Sequence, residues 1–129
     1  MDPEALLAAA RAAREHAYAP FSGYAVGAAI RCDDGRIFTG CNVENRSFGL
    51  SLCAERAAVA AAVTAGARRF TALAVITPSE PPAAPCGLCR ETLAEFCGPE
   101  LEIHLGSAGG ARRDTTLGAL FPDPFVFPR

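Results

Sequence analysis

Apolar positions in the first twenty residues fall at Leu6, Leu7, Ala10, Ala13 and Ala17, one stripe of an α-helix. Asp2-Pro3 opens that helix, with Asp as N-cap and Pro at the first helical position. It is expected to end before Pro20. Ser22-Gly23 turns the chain. Tyr24 to Arg31 and Arg36 to Cys41 read as two strands around Asp33-Asp34-Gly35, a hairpin signal. Asn42 to Leu52, polar and carrying Gly, reads as an ordered loop. Ala54 to Ala65 is a run of strong helix formers stopped by Gly66. It is apolar almost all round, which implies burial on several sides and, in so small a domain, a subunit interface. Thr71 to Thr77 is a continuous apolar strand of the kind covered on both faces. Pro78 to Pro85 is a stiff loop, and Gly87 to Phe96 a helix stopped near Gly98-Pro99. A strand at Leu101 to Leu105, a turn at Gly106 to Gly110, a short strand at Arg112 to Thr116 and a helical turn at Thr116 to Phe121 complete the pattern. The tail from Phe121 to Arg129 is rich in Pro and Phe. Strands alternating with helices predict a three-layer α/β sandwich with a mixed sheet.

Composition narrows the classes. A chain of 129 residues is one domain by length, 1–129, and 50% hydrophobic content excludes a disordered chain. The net charge is −2 and all twelve basic residues are Arg. Without Lys there is no Schiff-base or P-loop lysine. The arginines are scattered, with Arg68-Arg69 and Arg112-Arg113 the only pairs, so no basic stripe tracks a phosphate backbone. No nucleic-acid partner is expected. The six Cys fall in metal spacing rather than in a loop-rich disulfide scaffold, which points to a reduced, cytoplasmic protein. The apolar run Ala5 to Ala10 is preceded by Asp2 and Glu4 and ended by Arg11, so it reads as helix rather than leader. No run is long enough to span a bilayer, and no membrane partner is expected.

The candidate chemistry lies in Cys53-Ala54-Glu55-Arg56 and Pro85-Cys86-Gly87-Leu88-Cys89. Two thiols two residues apart plus a distant third is a spacing used by zinc sites. Three protein ligands leave the fourth tetrahedral position open, as a catalytic zinc requires. Each part opens a helix. Cys53 and Arg56 share a face, as do Cys86 and Cys89. Cys53 and Glu55 would diverge in mid-helix, so they reach one centre only if it sits off the N-terminal end. That end carries partial positive charge, which favours thiolates. Zinc at +2 with three thiolates leaves −1, and Arg56 is the compensating cation.

These motifs follow the zinc-deaminase signature, with Cys in place of its His. Together with Ala17-Tyr18-Ala19-Pro20, Val26-Gly27-Ala28-Ala29 and Gly40-Cys41-Asn42-Val43-Glu44-Asn45, they give a chain that closely resembles the small homo-oligomeric cytidine deaminases nearly end to end. The resemblance implies a five-stranded α/β/α sandwich, one zinc per chain on Cys53, Cys86 and Cys89, and Glu55 as the catalytic proton shuttle. It implies hydrolytic deamination of cytidine, and of deoxycytidine, to the uridine nucleoside and ammonia, within pyrimidine salvage. It assigns Asn42 and Glu44 to the ribose hydroxyls and the backbone near Ala54 and Cys86 to the base edge. Phe125 becomes a wall for the pyrimidine, and with the Phe48 loop it belongs to a neighbour's pocket in a homotetramer. Three positions depart from the family pattern. Tyr24 stands where Phe is common, which sets a hydroxyl near the nucleoside. Phe48 stands where Tyr is common. Glu91 stands where Gln is usual, adding negative charge near an already negative centre. Three other readings stay open at this point: a deaminase of a cytosine-nucleoside antibiotic or other analogue, a polynucleotide-editing deaminase disfavoured by charge, and a non-catalytic zinc module with four protein ligands. Cys32, Cys41 and Cys97 read as core residues, and His104 as a packed strand histidine.

Overall fold

The computed structural model describes residues 2–128; Met1 and Arg129, the outer ends of the expected 1–129 domain, lie outside them. Helix α1 (Pro3–Arg14) starts as its sequence requires. The Asp2 carboxylate accepts the Glu4 N–H at 3.0 Å, and Pro3 has no N–H to leave unpaired. The helix buries Leu6, Leu7 and Ala10. It stops short of Ala17, and there the Arg14 guanidinium donates to the Ala25 carbonyl at 2.7 Å. Tyr18, just beyond, forms an isolated bridge with Val43.

Strands β1 (Gly27–Cys32), β2 (Ile37–Cys41), β3 (Phe70–Thr77), β4 (Glu102–Ser107) and β5 (Arg112–Thr116) form one sheet in the order β2-β1-β3-β4-β5. Only β3 with β4 is parallel, so the sheet is mixed. The hairpin between β1 and β2 turns on Gly35, whose φ of 91° suits glycine. Strand β1 begins three residues later than the apolar pattern implies. Side chains have taken the backbone groups of the missing residues. Asn42 Oδ1 accepts the Val26 N–H at 2.9 Å, and Asn42 Nδ2 donates to the Tyr24 carbonyl at 2.7 Å. Central β3 is buried along nearly its whole length, as its unbroken apolar run requires.

Helices cover both faces. Helix α1 lies on one, over Ala29, Ala72, Ala74 and Ile76. Helices α2 (Ala54–Thr64) and α3 (Gly87–Phe96) lie on the other, over Ala28, Ile30, Leu73, Val75, Ile103 and Leu105. A short α4 (Leu117–Leu120) closes the far end. Gly66, at φ 96°, ends α2, and the Ala67 N–H returns to the Ala62 carbonyl at 3.0 Å. Within one chain α2 is covered on one side only: Ala60 and Thr64 remain exposed.

Two glycines set how closely the layers approach. A Cβ on Gly27 would lie 2.0 Å from the Ala10 carbonyl oxygen and 2.5 Å from the Arg14 nitrogen. A Cβ on Gly40 would lie 2.5 Å from the Ala58 nitrogen and 2.6 Å from the Ala54 oxygen. Both obstacles are helix backbone, which cannot swing aside as a side chain can. The first turn of α2 therefore rests directly on β2, and that contact places everything α2 carries. Gly27→Ala is expected to destabilise the fold by about 1–3 kcal/mol, the usual range for overpacking. A urea midpoint that falls at unchanged slope would show it.

Candidate active site

Both helices of the second layer begin on cysteine. Cys53 is the N-cap of α2 and Cys86 the N-cap of α3, each with extended backbone, and neither thiol accepts a capping hydrogen bond from its helix's N–H groups. The two sulfurs are thus free to project from the helix ends, where unpaired N–H groups favour anions. Cys89, one turn into α3, is buried. The Sγ atoms of Cys53 and Cys86 are 3.8 Å apart, those of Cys86 and Cys89 3.7 Å, and all three lie within 4.8 Å of one another. Zinc–sulfur bonds of about 2.3 Å at the tetrahedral angle would set sulfurs roughly 3.8 Å apart. The spacing therefore fits a zinc ion. Among the described residues no fourth His, Cys, Asp or Glu joins the group, so one tetrahedral position has no protein ligand. This geometry disfavours the four-ligand module.

Arg56 supports the same conclusion. Its Nη2 donates to the Ser51 carbonyl at 3.0 Å and lies 3.8 Å from Cys53 Sγ, while its buried Nε has no hydrogen-bond partner. A desolvated cationic N–H beside a thiol calls for negative charge on that sulfur. The Cys53 thiol is drawn down to about 5, first by its hydrogen bond with Cys89 and then, against burial, by Arg56 and Cys86. The same bond, with burial, pushes Cys89 up. Arg56 and the helix end both favour the anionic form of Cys53.

Glu55 is in the first turn of α2 and is 6% exposed. Burial pushes its carboxyl up to about 7; its own backbone N–H opposes this and the Cys53 charge adds to it. A carboxyl titrating near neutrality can both take and return a proton. The divergence expected between Cys53 and Glu55 is resolved as anticipated: Cys53 sits off the helix end, and both residues line one pocket of about 260 Å³.

That pocket also brings together Tyr24, Asn42, Glu44, Ala54 and Cys86. Glu44 Oε1 accepts the Phe21 and Ser22 N–H groups at 3.0 and 3.1 Å, and Oε2 accepts the Ser22 hydroxyl. The Ser22 hydroxyl is the main cause holding the Glu44 carboxyl below the ordinary range. Of four lone-pair positions on the carboxylate, one is left. Asn42 has spent one N–H on Tyr24 and one lone pair on Val26, which leaves one donor and one lone pair. An adjacent free acceptor and free donor match a hydroxyl. Phe48 and Phe125 are not brought to this pocket within one chain. Each is 73% exposed. Phe48 stacks edge-on with Phe21, and Phe125 shares a groove with Glu91 and Glu95 of α3. Glu91 thus lines the tail groove rather than the pocket.

Sequence spacing gave no sign of the Arg90 clamp. Arg90 Nε donates to the Pro85 carbonyl at 2.8 Å and Nη1 to the Leu120 carbonyl at 2.6 Å, which ties the Cys86 loop to α4. Its partners are carbonyls, which carry no residue signature. Cys32 is buried and Cys41 and Cys97 are half-buried, all outside the thiol group. His104 is more than a packed residue: its ring nitrogens lie 2.8 Å from Asp114 and 3.3 Å from Glu102.

Residues 1–104 match the model of the cytidine and deoxycytidylate deaminase zinc-binding region. A cytidine deaminase of Sporosarcina psychrophila is 45% identical over 125 residues, covering 97% of this chain and 92% of that one. The chain belongs to the cytidine deaminase family. It is a deaminase-family hydrolase. A second relative, the cytidine deaminase of Halalkalibacterium halodurans, is 41% identical over 98% of this chain and 96% of its own. The crystal structure of the Burkholderia pseudomallei cytidine deaminase superposes with a TM-score of 0.93 at 50% identity, covering 97% of this chain and all (100%) of that one. That of Mycobacterium tuberculosis gives 0.86 at 45% identity, covering 98% and 99%. The open α/β sheet is thus the family's fold. Among the described residues, no helix is long and apolar enough to cross a membrane.

Metal content tests the thiol site directly. Cys86→Ala is expected to purify with little or no zinc by elemental analysis, whereas Cys97→Ala, outside the group, retains the wild-type amount.

Proposed function

We propose that the chain, as one domain with one zinc held by Cys53, Cys86 and Cys89, hydrolyses cytidine and deoxycytidine to uridine and deoxyuridine with release of ammonia, a step of pyrimidine salvage. The observation that carries this reading is a buried carboxylate, Glu55, sharing one small pocket with two of three converging thiols and with the Asn42–Glu44 pair. Zinc, when bound, supplies a Lewis acid that makes water a nucleophile near neutral pH. Glu55 accepts the proton of the attacking water as the C4–O bond forms. It delivers that proton to ring nitrogen 3. It then takes the remaining proton of the new C4 hydroxyl and gives it to the 4-amino group; the C4–N bond breaks, ammonia leaves and C4 becomes the carbonyl of the uridine product. Burial keeps bulk water away from this shuttle. The backbone near Ala54 and Cys86 holds the base edge. Asn42 and Glu44 take a sugar hydroxyl, one donating and the other accepting, which favours a free nucleoside over a bare base. Arg56 balances the thiolate charge. The relatives' names give no support to an antibiotic-analogue deaminase.

The test is ultraviolet absorbance of cytidine incubated with the purified zinc-loaded protein. Conversion to uridine is expected, with no conversion in its absence. Glu55→Gln should keep the fold and the metal and lose about 100- to 10,000-fold in turnover, since an amide cannot carry the proton. Near-wild-type turnover in that variant would contradict the mechanism.

The reading includes a site completed by neighbouring copies in a homotetramer, in a cytoplasmic setting. Supporting it are the exposed Phe48, Leu50, Phe125, Val126 and Phe127 and the uncovered side of α2. Phe48 and Phe125 then supply aromatic walls to a partner's pyrimidine. Glu55→Gln chains lack the shuttle but keep Phe125; chains truncated after Pro122 keep the shuttle but lack Phe125. Co-refolded, the two inactive forms should regain activity. A mixture that stays inactive although mixed oligomers form would exclude the shared site.

A further inference from the structure

The pocket wall formed by Tyr24 depends on a residue that does not line the pocket. The Tyr24 hydroxyl is hydrogen-bonded to the Ser79 hydroxyl, 55 residues away in sequence and on the loop after β3. The backbone of Tyr24 is already fixed: its N–H donates to Ser22 Oγ at 2.9 Å, and its carbonyl accepts from Asn42 Nδ2 at 2.7 Å. Its ring is another matter. Tyr24 is 38% exposed, so little packing holds it against the pocket. Ser79, by contrast, is half-buried and held from both sides. Its N–H donates to Thr77 Oγ1 at 3.2 Å, and the next residue, Glu80, accepts the hydroxyl of fully buried Ser107 at 2.6 Å. Ser79 is the fixed post and the Tyr24 ring is what it fixes.

We propose that Ser79 is a positioning residue that pins the Tyr24 ring as a wall of the nucleoside pocket, so that the pair sets substrate affinity without taking part in the chemistry. This rests on the nucleoside reading above. Two hydroxyls sharing one bond satisfy each other, whereas a phenylalanine at position 24 would leave Ser79 without that partner. The bond also joins lining residues into one chain: Glu44 to Ser22, Ser22 to Tyr24, Tyr24 to Ser79, and Ser79 to Thr77. The sugar side and the loop after β3 are thereby locked into one frame. Ser79 has no hydrogen bond to Glu55, to the three cysteines or to Arg56 among the described residues.

The test has a kinetic and a spectroscopic arm. Ser79→Ala is expected to raise KM for cytidine about threefold to tenfold, the range for one net hydrogen bond, with kcat within about twofold of wild type. Tyr24→Phe should do the same, the double variant should be no worse than either, and Ser79→Thr should restore KM. The chain has two tyrosines and no tryptophan, so in a Tyr18→Phe background only Tyr24 absorbs as a phenol. There Ser79→Ala should shift the phenol band without any substrate, as the hydroxyl exchanges a protein partner for water. An unchanged band, an unchanged KM, additive losses in the double variant, or a fall in kcat matching the rise in KM would each overturn the proposal. Absence of cytidine turnover by the wild type would instead sink the nucleoside reading, while the phenol band would still show whether the pair exists.

Discussion

The structure depends on holding three sulfurs within 4.8 Å of one another. As thiolates they would repel strongly at that range. Two features make the arrangement tolerable before any metal arrives: the N-terminal ends of α2 and α3, both aimed at the same point, and the Arg56 guanidinium behind Cys53. Everything that positions those ends then becomes indispensable. Gly40 lets the first turn of α2 rest on β2, and Arg90 fastens the loop ahead of α3 to α4. The anionic centre is made affordable by backbone geometry rather than by a surrounding crowd of cations.

Much of this was legible in the chain. The Asp2-Pro3 start, the Gly35 hairpin, the unbroken apolar run of β3 and the Cys-opened helices each carry a local physical cause, so pattern alone locates them. The convergence of the three cysteines and Glu55 followed from spacing plus the need to meet off a helix end. The errors share one origin. Residues 24–26 look like strand, yet Asn42 and Arg14 side chains take their backbone groups first. Likewise α1 looks long enough to include Ala17, yet it ends at Arg14, whose guanidinium grips the Ala25 carbonyl. Long-range side-chain to backbone bonds leave no periodicity to read. The same holds for Ser79, whose partner lies 55 residues upstream; the only trace was that a pocket tyrosine needs somewhere to place its hydroxyl.

Asn42 and Glu44 show how a site can be structural and chemical at once. Glu44 spends three of its four acceptor positions on the frame, and Asn42 one donor and one lone pair; each keeps capacity for the pocket. Such residues are held rigidly, because their frame bonds remove the rotamer freedom that a binding event would otherwise have to freeze. The reverse side of this economy is that their removal affects both architecture and recognition. Phe48 and Phe125 are the opposite kind of residue, nearly free of their own chain and available to another.

The single parallel pairing, β3 with β4, has a temporal consequence. A parallel pair needs a crossover, and α3 with Cys86 and Cys89 lies inside it, whereas Cys53 lies on the far side of β3. While the crossover is still open, the chain offers a two-thiol chelate with one stray cysteine elsewhere. The third sulfur comes into range only when long-range strand order is complete, and such nonlocal pairings form slowly. A metal held by all three sulfurs would thus be captured late in the folding of each new chain. A filled centre certifies finished topology in a way that helix content, acquired early and locally, cannot.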